Sequence, residues 1–573
     1  MLPLAGVCRK WRRMMHEHLH STIIVEYRPK APINGPQQRP GAKNRVSPAS
    51  VWTPRAAIKK FNSKAENGVS KQQYGQLRNA EWATNIKLFE LQGAQDPIKA
   101  TKLRIQAFVD LPDYEGLVAA MVADGFSTQS WTSVTSIEIV DFAGTPGLAG
   151  GNGSPTGSPS IQDPSFASVA RFMLQHMPNI VELSSSTWDI SASNRCLASH
   201  LLSVYSTQLH HLDVHVLPSA IKASRPVLGN QLTVLQVQTR VLQLLGAATV
   251  PAAQLKTLKL CHVDPYFSWE AFAGASGEEL EFTSLTTLGI DFEKDNVAND
   301  THRQEAQRGG KCPWVTMGVD SRRVRFPKLH TLAVRRVPYT YTDAWSMFLD
   351  SPLKSLYVAG KLAHVRYIDM SLFSGLDILD VHLYLTEQAQ GKFSTFVKTM
   401  FTVESAVRSA WVRHSEIFPI SVPDVVGWQN VRELNITAYI PPFTLMSLVS
   451  QMPQLCLLVV QRVARDVCET ILESGTGVDL SHLQPTSIVS TSIRELQLHM
   501  AGNGVRVPTL QTICYLLLSM PKVHKLAIKQ GYWERISEFA KSREEKNPHL
   551  AQIELVHHIS MQARSALAGY STG

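Results

Sequence analysis

The chain has 573 residues, of which 44% are hydrophobic and 18% are charged, and its formal net charge is +9. This length exceeds what one compact core holds, and the composition excludes the disordered, collagen-like and disulfide-scaffold classes of protein. The charge is uneven, because the first 80 residues hold fifteen Lys/Arg and three Asp/Glu, which leaves the rest of the chain slightly acidic.

Cysteine usage and hydropathy indicate the compartment. The seven cysteines are scattered and form no C-x-x-C pair, which favours reduced thiols. No run of eighteen apolar residues occurs, and the apolar start Met1–Val7 is too short for a signal peptide. The sequence therefore predicts a cytoplasmic or nuclear protein without a membrane segment.

The N-terminal residues predict an amphipathic helix. Leu4, Val7, Trp11, Met14 and Met15 fall on one face at helical spacing. A helix of this kind suits the end of a repeat protein, which needs a cap over its terminal core.

The same segment has a second interpretation. Leu4-x-x-Val7-Cys8-x-x-Trp11 resembles the second half of an F-box. In that family these residues form the core of a small helical module that binds the adaptor subunit of a cullin-type ubiquitin ligase. The Leu-Pro-x-Glu-type helix that opens an F-box would lie before this segment, so the resemblance implies a truncated N-terminal F-box.

Residues 28–80 are basic and rich in Pro, Gly, Gln and Asn, which predicts a poorly ordered linker or insertion. Lys59, Lys60, Lys64 and Lys71 could instead contact nucleic acid or an acidic partner. Aromatic residues are too sparse here for a base-stacking platform, so a nucleic-acid partner is not expected.

A short pattern of three apolar residues then recurs along the chain. It has the form apolar-x-x-apolar-x-apolar, where x is any residue, and its apolar residues are called the first, second and third positions. Several neighbouring copies start 23 or 24 residues apart, as at Leu209, Leu232 and Leu255. The second and third positions alternate with polar residues, as in a half-buried strand. The clear copies are Leu209-Leu212-Val214, Leu232-Leu235-Val237, Leu255-Leu258-Leu260, Leu285-Leu288-Ile290, Leu329-Leu332-Val334, Leu353-Leu356-Val358, Leu376-Leu379-Val381, Val431-Leu434-Ile436, Leu455-Leu458-Val460, Ile493-Leu496-Leu498 and Val523-Leu526-Ile528. Weaker copies are Val134-Ile137-Ile139, Ile180-Leu183 and Leu550-Ile553-Leu555.

Helical stretches lie between these strands. Phe166, Val169, Phe172 and Met173 share one helical face, as do Leu445, Leu448, Val449 and Met452. Three stretches end at Met-Pro, where proline stops a helix before the next strand. These pairs are Met177-Pro178, Met452-Pro453 and Met520-Pro521.

The repeat resembles the leucine-rich-repeat family, and with the F-box-like segment it resembles the divergent F-box-like proteins of fungal type. The resemblance implies an α/β solenoid of parallel strands and helices. The family often places Asn or Cys three residues after the third apolar position, where this chain has Val263, Val337, Tyr439 and Val463. Without that polar ladder, we expect irregular turns after the strands.

Breaks in the repeat predict the domain organisation. Residues 1–27 hold the F-box remnant or cap helix and a first strand, and 28–80 form the basic segment. Residues 81–560 form the irregular solenoid, with loops at 143–165, 293–325, 382–428 and 461–490. Residues 561–573 form a tail.

The motifs of phosphate-binding loops, zinc proteases and serine hydrolases do not occur in the sequence. The sequence thus predicts a protein that is not an enzyme and has no catalytic, metal or cofactor site. The expected function is binding to a protein target, as the substrate-recognition subunit of a cullin-type ubiquitin ligase. The alternatives are a stand-alone leucine-rich-repeat scaffold without a ligase role, and binding of nucleic acid or an acidic partner through the basic segment 28–80.

Two sets of residues are candidates for partner binding. Leu4, Val7, Cys8 and Trp11 would contact the adaptor or serve as the cap. Residues that alternate with the apolar positions would face the concave sheet surface and contact the protein target. That set is His211, Asp213, His215, Gln236, Lys259, Arg335, Tyr357, Asp380, Glu433, Asn435, Glu495, Gln497 and Lys525.

Overall fold

The computed structural model shows an α/β protein with extensive parallel sheet and few helices, divided into two compact units. Unit 1 comprises Met1–Leu258 and Glu270–Gly277, and unit 2 comprises Lys259–Trp269 and Glu278–Gly573. The structure describes residues 21–29, 80–84, 100–107, 114–128, 131–141, 164–185, 192–214, 226–245, 250–263, 269, 272, 280–292, 324–337, 345, 347–348, 350–361, 375–384, 407–413, 428–440, 442–463, 488–498, 510–528, 534, 536–538, 540–541 and 548–555. The F-box-like residues Leu4, Val7, Cys8 and Trp11, most of 28–80, and the tail lie outside these ranges.

Unit 1 contains a sheet and helices packed side by side. Its strands are β1 (Thr22–Pro29), β2 (Ala80–Thr84), β3 (Lys102–Ala107), β4 (Ser136–Asp141), β5 (Glu182–Ser185), β6 (His211–Asp213) and β7 (Val234–Gln238). Its helices are α1 (Tyr114–Ala123), α2 (Pro164–His176), α3 (Ala192–Tyr205) and α4 (Thr239–Leu245). The strand order is β2-β1-β3-β4-β5-β6-β7, and β1 pairs antiparallel with β2 and parallel with β3.

Unit 2 is built from the same repeating unit, a parallel strand with the apolar pattern. Its strands are β8 (Thr257–Val263, which begins at the end of unit 1), β9 (Leu280–Glu281), β10 (Thr287–Phe292), β11 (Val324–Arg325), β12 (Thr331–Val337), β13 (Ser355–Lys361), β14 (Ile378–Tyr384), β15 (Ser409–Arg413), β16 (Glu433–Ile440), β17 (Leu457–Val463), β18 (Glu495–Leu498), β19 (Lys525–Ala527) and β20 (Glu554–Leu555). Its helices are α5 (Pro442–Ser450), α6 (Leu510–Ser519) and α7 (Pro548–Ala551). The main sheet runs β8-β10-β12-β13-β14-β15-β16-β17-β18-β19-β20, and β9 pairs with β11.

The apolar positions of the motif stack as predicted. In unit 2 the second positions of neighbouring strands pair directly, as Leu288 with Leu332 and Leu332 with Leu356. In unit 1, Leu212 pairs with Leu235 in the same way. These leucines are buried. Removal of this apolar column from water is the main stabilising contribution to each sheet.

The helices predicted before Met-Pro are confirmed. Helix α2 ends at His176, α5 at Ser450 and α6 at Ser519, each just before its Met-Pro pair. Phe166, Val169 and Met173 form part of the buried face of α2. The 3.6-residue periodicity therefore identified both the helix and its core-facing side.

The repeat also continues where the sequence suggested an insertion. Strand β15 lies within 382–428, and its Ala410 pairs with Leu379 on one side and Leu434 on the other. The last weak copy has a different phase from the predicted one. Leu555, assigned there to the third apolar position, pairs with Leu526, which holds the second.

A ladder of backbone hydrogen bonds links the N-terminal ends of the strands. In most repeats the backbone carbonyl of the residue after the first apolar position accepts hydrogen bonds from two N–H groups of the next repeat. His330 O accepts from Lys354 N at 2.8 Å and Ser355 N at 2.9 Å, and Arg432 O accepts from Cys456 N and Leu457 N at 2.8 and 2.9 Å. A carbonyl oxygen has two lone pairs, so one group satisfies both donors.

The C-terminal ends of the strands are less regular, in agreement with the missing polar ladder. The β12–β13 register shifts between Arg335 and Val337, and the β16–β17 register shifts between Ile436 and Tyr439. Arg336 adopts a positive φ of 55°. Val337 and Tyr439 hold two of the positions where an Asn or Cys would bond the turn backbone.

One buried tyrosine predicts a pH dependence of stability. Tyr205 donates a hydrogen bond from its hydroxyl to Met177 O at 3.1 Å, and burial raises the pKa of Tyr205 above its ordinary 10.0. This contribution to stability is fully present below pH 10 and is lost as pH rises further, since only the unfolded chain ionises readily there.

We therefore expect Tyr205→Phe to lose about 1 kcal/mol at neutral pH, through the hydrogen bond. Its free energy of unfolding should then fall less steeply than the wild type's above about pH 10, by up to about 1.4 kcal/mol per pH unit. Urea unfolding at neutral and alkaline pH measures the difference. Equal alkaline losses in the two proteins would contradict the assignment.

Candidate partner-binding face

The strands present one side to the core and the other side, here called the sheet face, away from it. In β10 the apolar positions Leu288 and Ile290 are buried, whereas the alternating Thr287, Gly289 and Asp291 are partly exposed. Because strands pair in register, the residue between the second and third apolar positions of each strand forms a row across the sheet, here called the middle row.

The middle row of unit 2 brings together two aromatic residues, a carboxylate and an amide. Tyr357 of β13 pairs with Asp380 of β14, Asp380 pairs with Trp411 of β15, and Trp411 pairs with Asn435 of β16. Adjacent strands lie about 4.8 Å apart. The Asp380 carboxylate is therefore positioned between two aromatic side chains, with an amide one strand further on.

The four side chains of this group in the middle row are partly or wholly buried. Burial, and then the nearby charge of Asp380, raise the pKa of Tyr357, so its phenol remains neutral and able to donate a hydrogen bond. Asn435 is 6% exposed, and its Oδ1 has no hydrogen-bond donor within the described part of the chain. A buried acceptor of this kind favours a ligand that brings an N–H group.

Small residues lie next to Tyr357 in the same row. Gly289 occupies it on β10 and Ala333 on β12, and Ala333 pairs directly with Tyr357. A Cβ at Gly289 would lie 3.2 Å from Lys259 Cγ, so the glycine accommodates the lysine side chain. The space above Gly289 is thus occupied by the Lys259 side chain, and Ala333 lies between Gly289 and Tyr357 in the row.

The other candidates from the sequence lie on the sheet face with different exposures. Lys259, Glu495 and Lys525 are partly exposed, and Arg335 and Glu433 are exposed. Gln236 and Gln497 are buried, as is Asn435, so these three are less accessible than the sequence suggested. Gln497 Nε2 donates to Glu495 Oε1, and Glu495 pairs in register with Lys525. In unit 1, His211 and Asp213 are partly exposed, and His215 lies outside the described residues.

The sheet face of unit 1 carries ion pairs that the sequence did not reveal. Glu138 Oε2 accepts from Arg104 Nε at 2.6 Å and lies 3.1 Å from Lys102 Nζ. His211 Nδ1 lies 3.6 Å from Glu182 Oε1. These charged groups are therefore paired within unit 1.

Trp411 is the residue of the unit 2 group that sequence reasoning missed. Val407, Ala410 and Val412 have the spacing of the apolar motif, and all three are buried. Their small side chains gave a weak signal. Alignment of that spacing with the neighbouring copies would have placed Trp411 in the middle row.

No cluster of three or more His, Cys, Asp or Glu residues that could hold a metal ion occurs among the described ranges. None of the described helices is long and apolar enough to cross a membrane. Comparison with protein-family models and with curated proteins gives no significant match for this chain.

Proposed function

We propose that the chain is a non-catalytic protein-interaction module, folded as an irregular leucine-rich-repeat-like solenoid, and that the sheet face of unit 2 binds its protein target. The observation that carries the proposal is the group of Tyr357, Asp380, Trp411 and Asn435 on four adjacent strands. The in-register apolar column and the backbone ladder support the solenoid arrangement.

The chemistry of this group fits a cationic side chain of the target. A guanidinium or ammonium group can pair with the Asp380 carboxylate while the faces of Tyr357 and Trp411 contact it through cation–π interactions. An Arg side chain offers five N–H donors, and Asn435 Oδ1 provides an additional acceptor. The target segment should therefore place an Arg or Lys on the middle row.

We expect Trp411→Ala and Asp380→Asn to weaken target binding strongly, because desolvated aromatic and charged contacts dominate interfaces. A loss of about 2 kcal/mol in either variant corresponds to roughly a 30-fold higher Kd. Targets would be identified by co-purification with quantitative mass spectrometry, and Kd would then be measured with the purified target. Arg171→Ala, on an exposed position of α2, is the control and should leave Kd unchanged.

Replacement of the contacting Arg or Lys of the target by Ala should reduce binding as much as Asp380→Asn does. If no target depends on Trp411 or Asp380 while the variants remain folded, the sheet face is not the binding surface.

We further propose that the F-box-like segment makes this module the substrate-recognition subunit of a cullin-type ubiquitin ligase, with Leu4, Val7, Cys8 and Trp11 contacting the adaptor or supporting that contact. The same preparations test this assignment. Trp11→Ala should lose the adaptor and keep the target, whereas Trp411→Ala should lose the target and keep the adaptor. If the wild type binds its target but no adaptor, the stand-alone scaffold is the better description.

A further inference from the structure

A second feature of unit 2 lies at the N-terminal ends of its strands. The residue after each first apolar position offers its carbonyl to the backbone ladder, so its own backbone position is fixed by the fold. Thr286 begins this series in unit 2, and the eight residues that follow it, here called the edge row, are His330, Lys354, Asp377, Arg408, Arg432, Cys456, Arg494 and His524. Four of them are Lys or Arg and one is Asp, although the chain after residue 80 is slightly acidic.

The ladder gives the edge row a regular geometry. Each member immediately precedes one strand, from β12 to β19, and successive members precede neighbouring strands. Seven steps of about 4.8 Å give a row roughly 34 Å long. An extended peptide of about ten residues has the same length.

The cations of the edge row are accessible. Lys354, Arg432 and Arg494 are exposed, and the Arg408 side chain is 66% exposed. Arg408 Nε lies 3.9 Å from Asp377 Oδ1, a long and weak contact. Within the described residues Arg432 and Arg494 form no ion pair. The exposed Lys328 and Lys522 lie two residues before His330 and His524 and add charge at the two ends.

The fold itself does not require this charge. In unit 1 the residues that hold the same position, just before β3 to β7, are Thr101, Thr135, Val181, His210 and Thr233. These five positions carry no Lys or Arg, and Lys256, just before β8, is the first cation of the series. The backbone ladder therefore forms without basic side chains at these positions.

We propose that the edge row of unit 2 binds an extended acidic peptide segment that carries Asp, Glu or phosphorylated Ser. Arg408, Arg432 and Arg494 provide planar guanidinium groups that suit bidentate contacts with carboxylate or phosphate. Because the anionic side chains of a peptide are separate from one another, they can form ion pairs with the Lys and Arg side chains of the edge row while an uncharged residue lies opposite Asp377.

Nucleic acid fits the edge row less well than such a peptide. None of the eight edge-row residues is Phe, Tyr or Trp, the side chains that provide the largest stacking surface for the bases of a single strand. The carboxylates of Asp377, Glu433 and Glu495 lie on or beside the row and would repel a continuous phosphodiester backbone.

The test uses the full chain and a fluorescent peptide of about ten residues that alternates Glu with Ser. A version with phosphoserine in place of Ser distinguishes recognition of carboxylate from recognition of phosphate. The proposal is supported whichever of the two peptides binds more tightly. Arg408→Glu with Arg432→Glu should raise Kd at least about tenfold, and added salt should weaken wild-type binding. Arg171→Glu with Lys541→Glu changes the net charge equally at exposed positions that do not belong to the edge row and should have little effect.

A variant that binds the peptide more tightly makes the test independent of folding defects, because a misfolded protein would not gain affinity for the peptide. Asp377→Asn removes the single carboxylate of the edge row and should lower Kd about two- to threefold, because one repulsive charge is lost. The peptide probe carries no Arg or Lys, so Trp411→Ala should leave its Kd unchanged. Failure of the edge-row proposal can therefore be distinguished from failure of the sheet-face proposal. The edge-row site is overturned if both charge-reversal pairs behave alike, or if oligothymidine of equal length binds more tightly than either peptide.

Discussion

Replacement of Phe326 by Ala is expected to lower the free energy of unfolding of unit 2 by about 3–5 kcal/mol, the range for loss of a buried phenyl ring. Phe326 lies three residues before Leu329, and the Leu329 N–H donates to Phe326 O at 3.2 Å. Its ring stacks on Phe282 at 5.2 Å and on Phe348 at 5.6 Å, and the Trp269 ring meets it edge-on at 5.6 Å. Removal of the ring leaves a cavity that these rigid neighbours cannot fill.

Urea unfolding combined with hydrogen exchange of unit 2 peptides measures this effect, since a chain with two units need not unfold in one step. Lys328→Ala, two residues away and exposed, is the control and should stay within about 0.5 kcal/mol. A loss below about 1 kcal/mol for Phe326→Ala would mean that the ring cluster is not a packed core.

The second large effect is expected at Leu332, whose neighbours in the apolar column are Leu288 and Leu356. Leu332→Ala should cost about 2–5 kcal/mol, because the transfer energy of the side chain is lost and a cavity remains. Thr331→Ala, on the sheet face of the same strand, should change stability by no more than about 0.5 kcal/mol. Comparable losses in both variants would indicate that the strand presents the opposite face to the core.

The sequence predicted the strands and their buried side because apolar residues alternate at fixed spacing. Leu332 and Val334 are buried while Arg335 is exposed, as that alternation requires. Proline predicted the ends of α2 and α5 because it cannot continue a helix. Both properties are local, so a single sequence contains them.

What the sequence did not reveal depends on neighbours in space. Strand β15 was missed because Ala410 is small, although Leu379 and Leu434 beside it complete the column. The phase of Leu555 depends on its pairing with Leu526, which one short apolar pattern cannot specify. The antiparallel pairing of β1 with β2 joins the two ends of the basic segment 28–80, where Arg28 pairs with Glu81 and Pro29 with Ala80.

The candidate sites illustrate the same difference. Tyr357, Asp380 and Asn435 were identified from alternation alone, but their grouping around Trp411 follows from the strand register. The edge row was not identified, because its members occupy a position that carries no apolar signal. Its spacing comes from backbone hydrogen bonds, which any residue type except proline can donate.

The central claim is that the target protein binds the sheet face of unit 2, and site-specific photo-crosslinking tests it most directly. A benzophenone side chain would replace Tyr357 in one protein and Ile488, an exposed residue of unit 2 before β18, in another. We predict that the target whose binding depends on Trp411 crosslinks from position 357 through the peptide that carries its Arg or Lys, and does not crosslink from position 488. Crosslinking of that target from position 488 but not from position 357 would contradict the account.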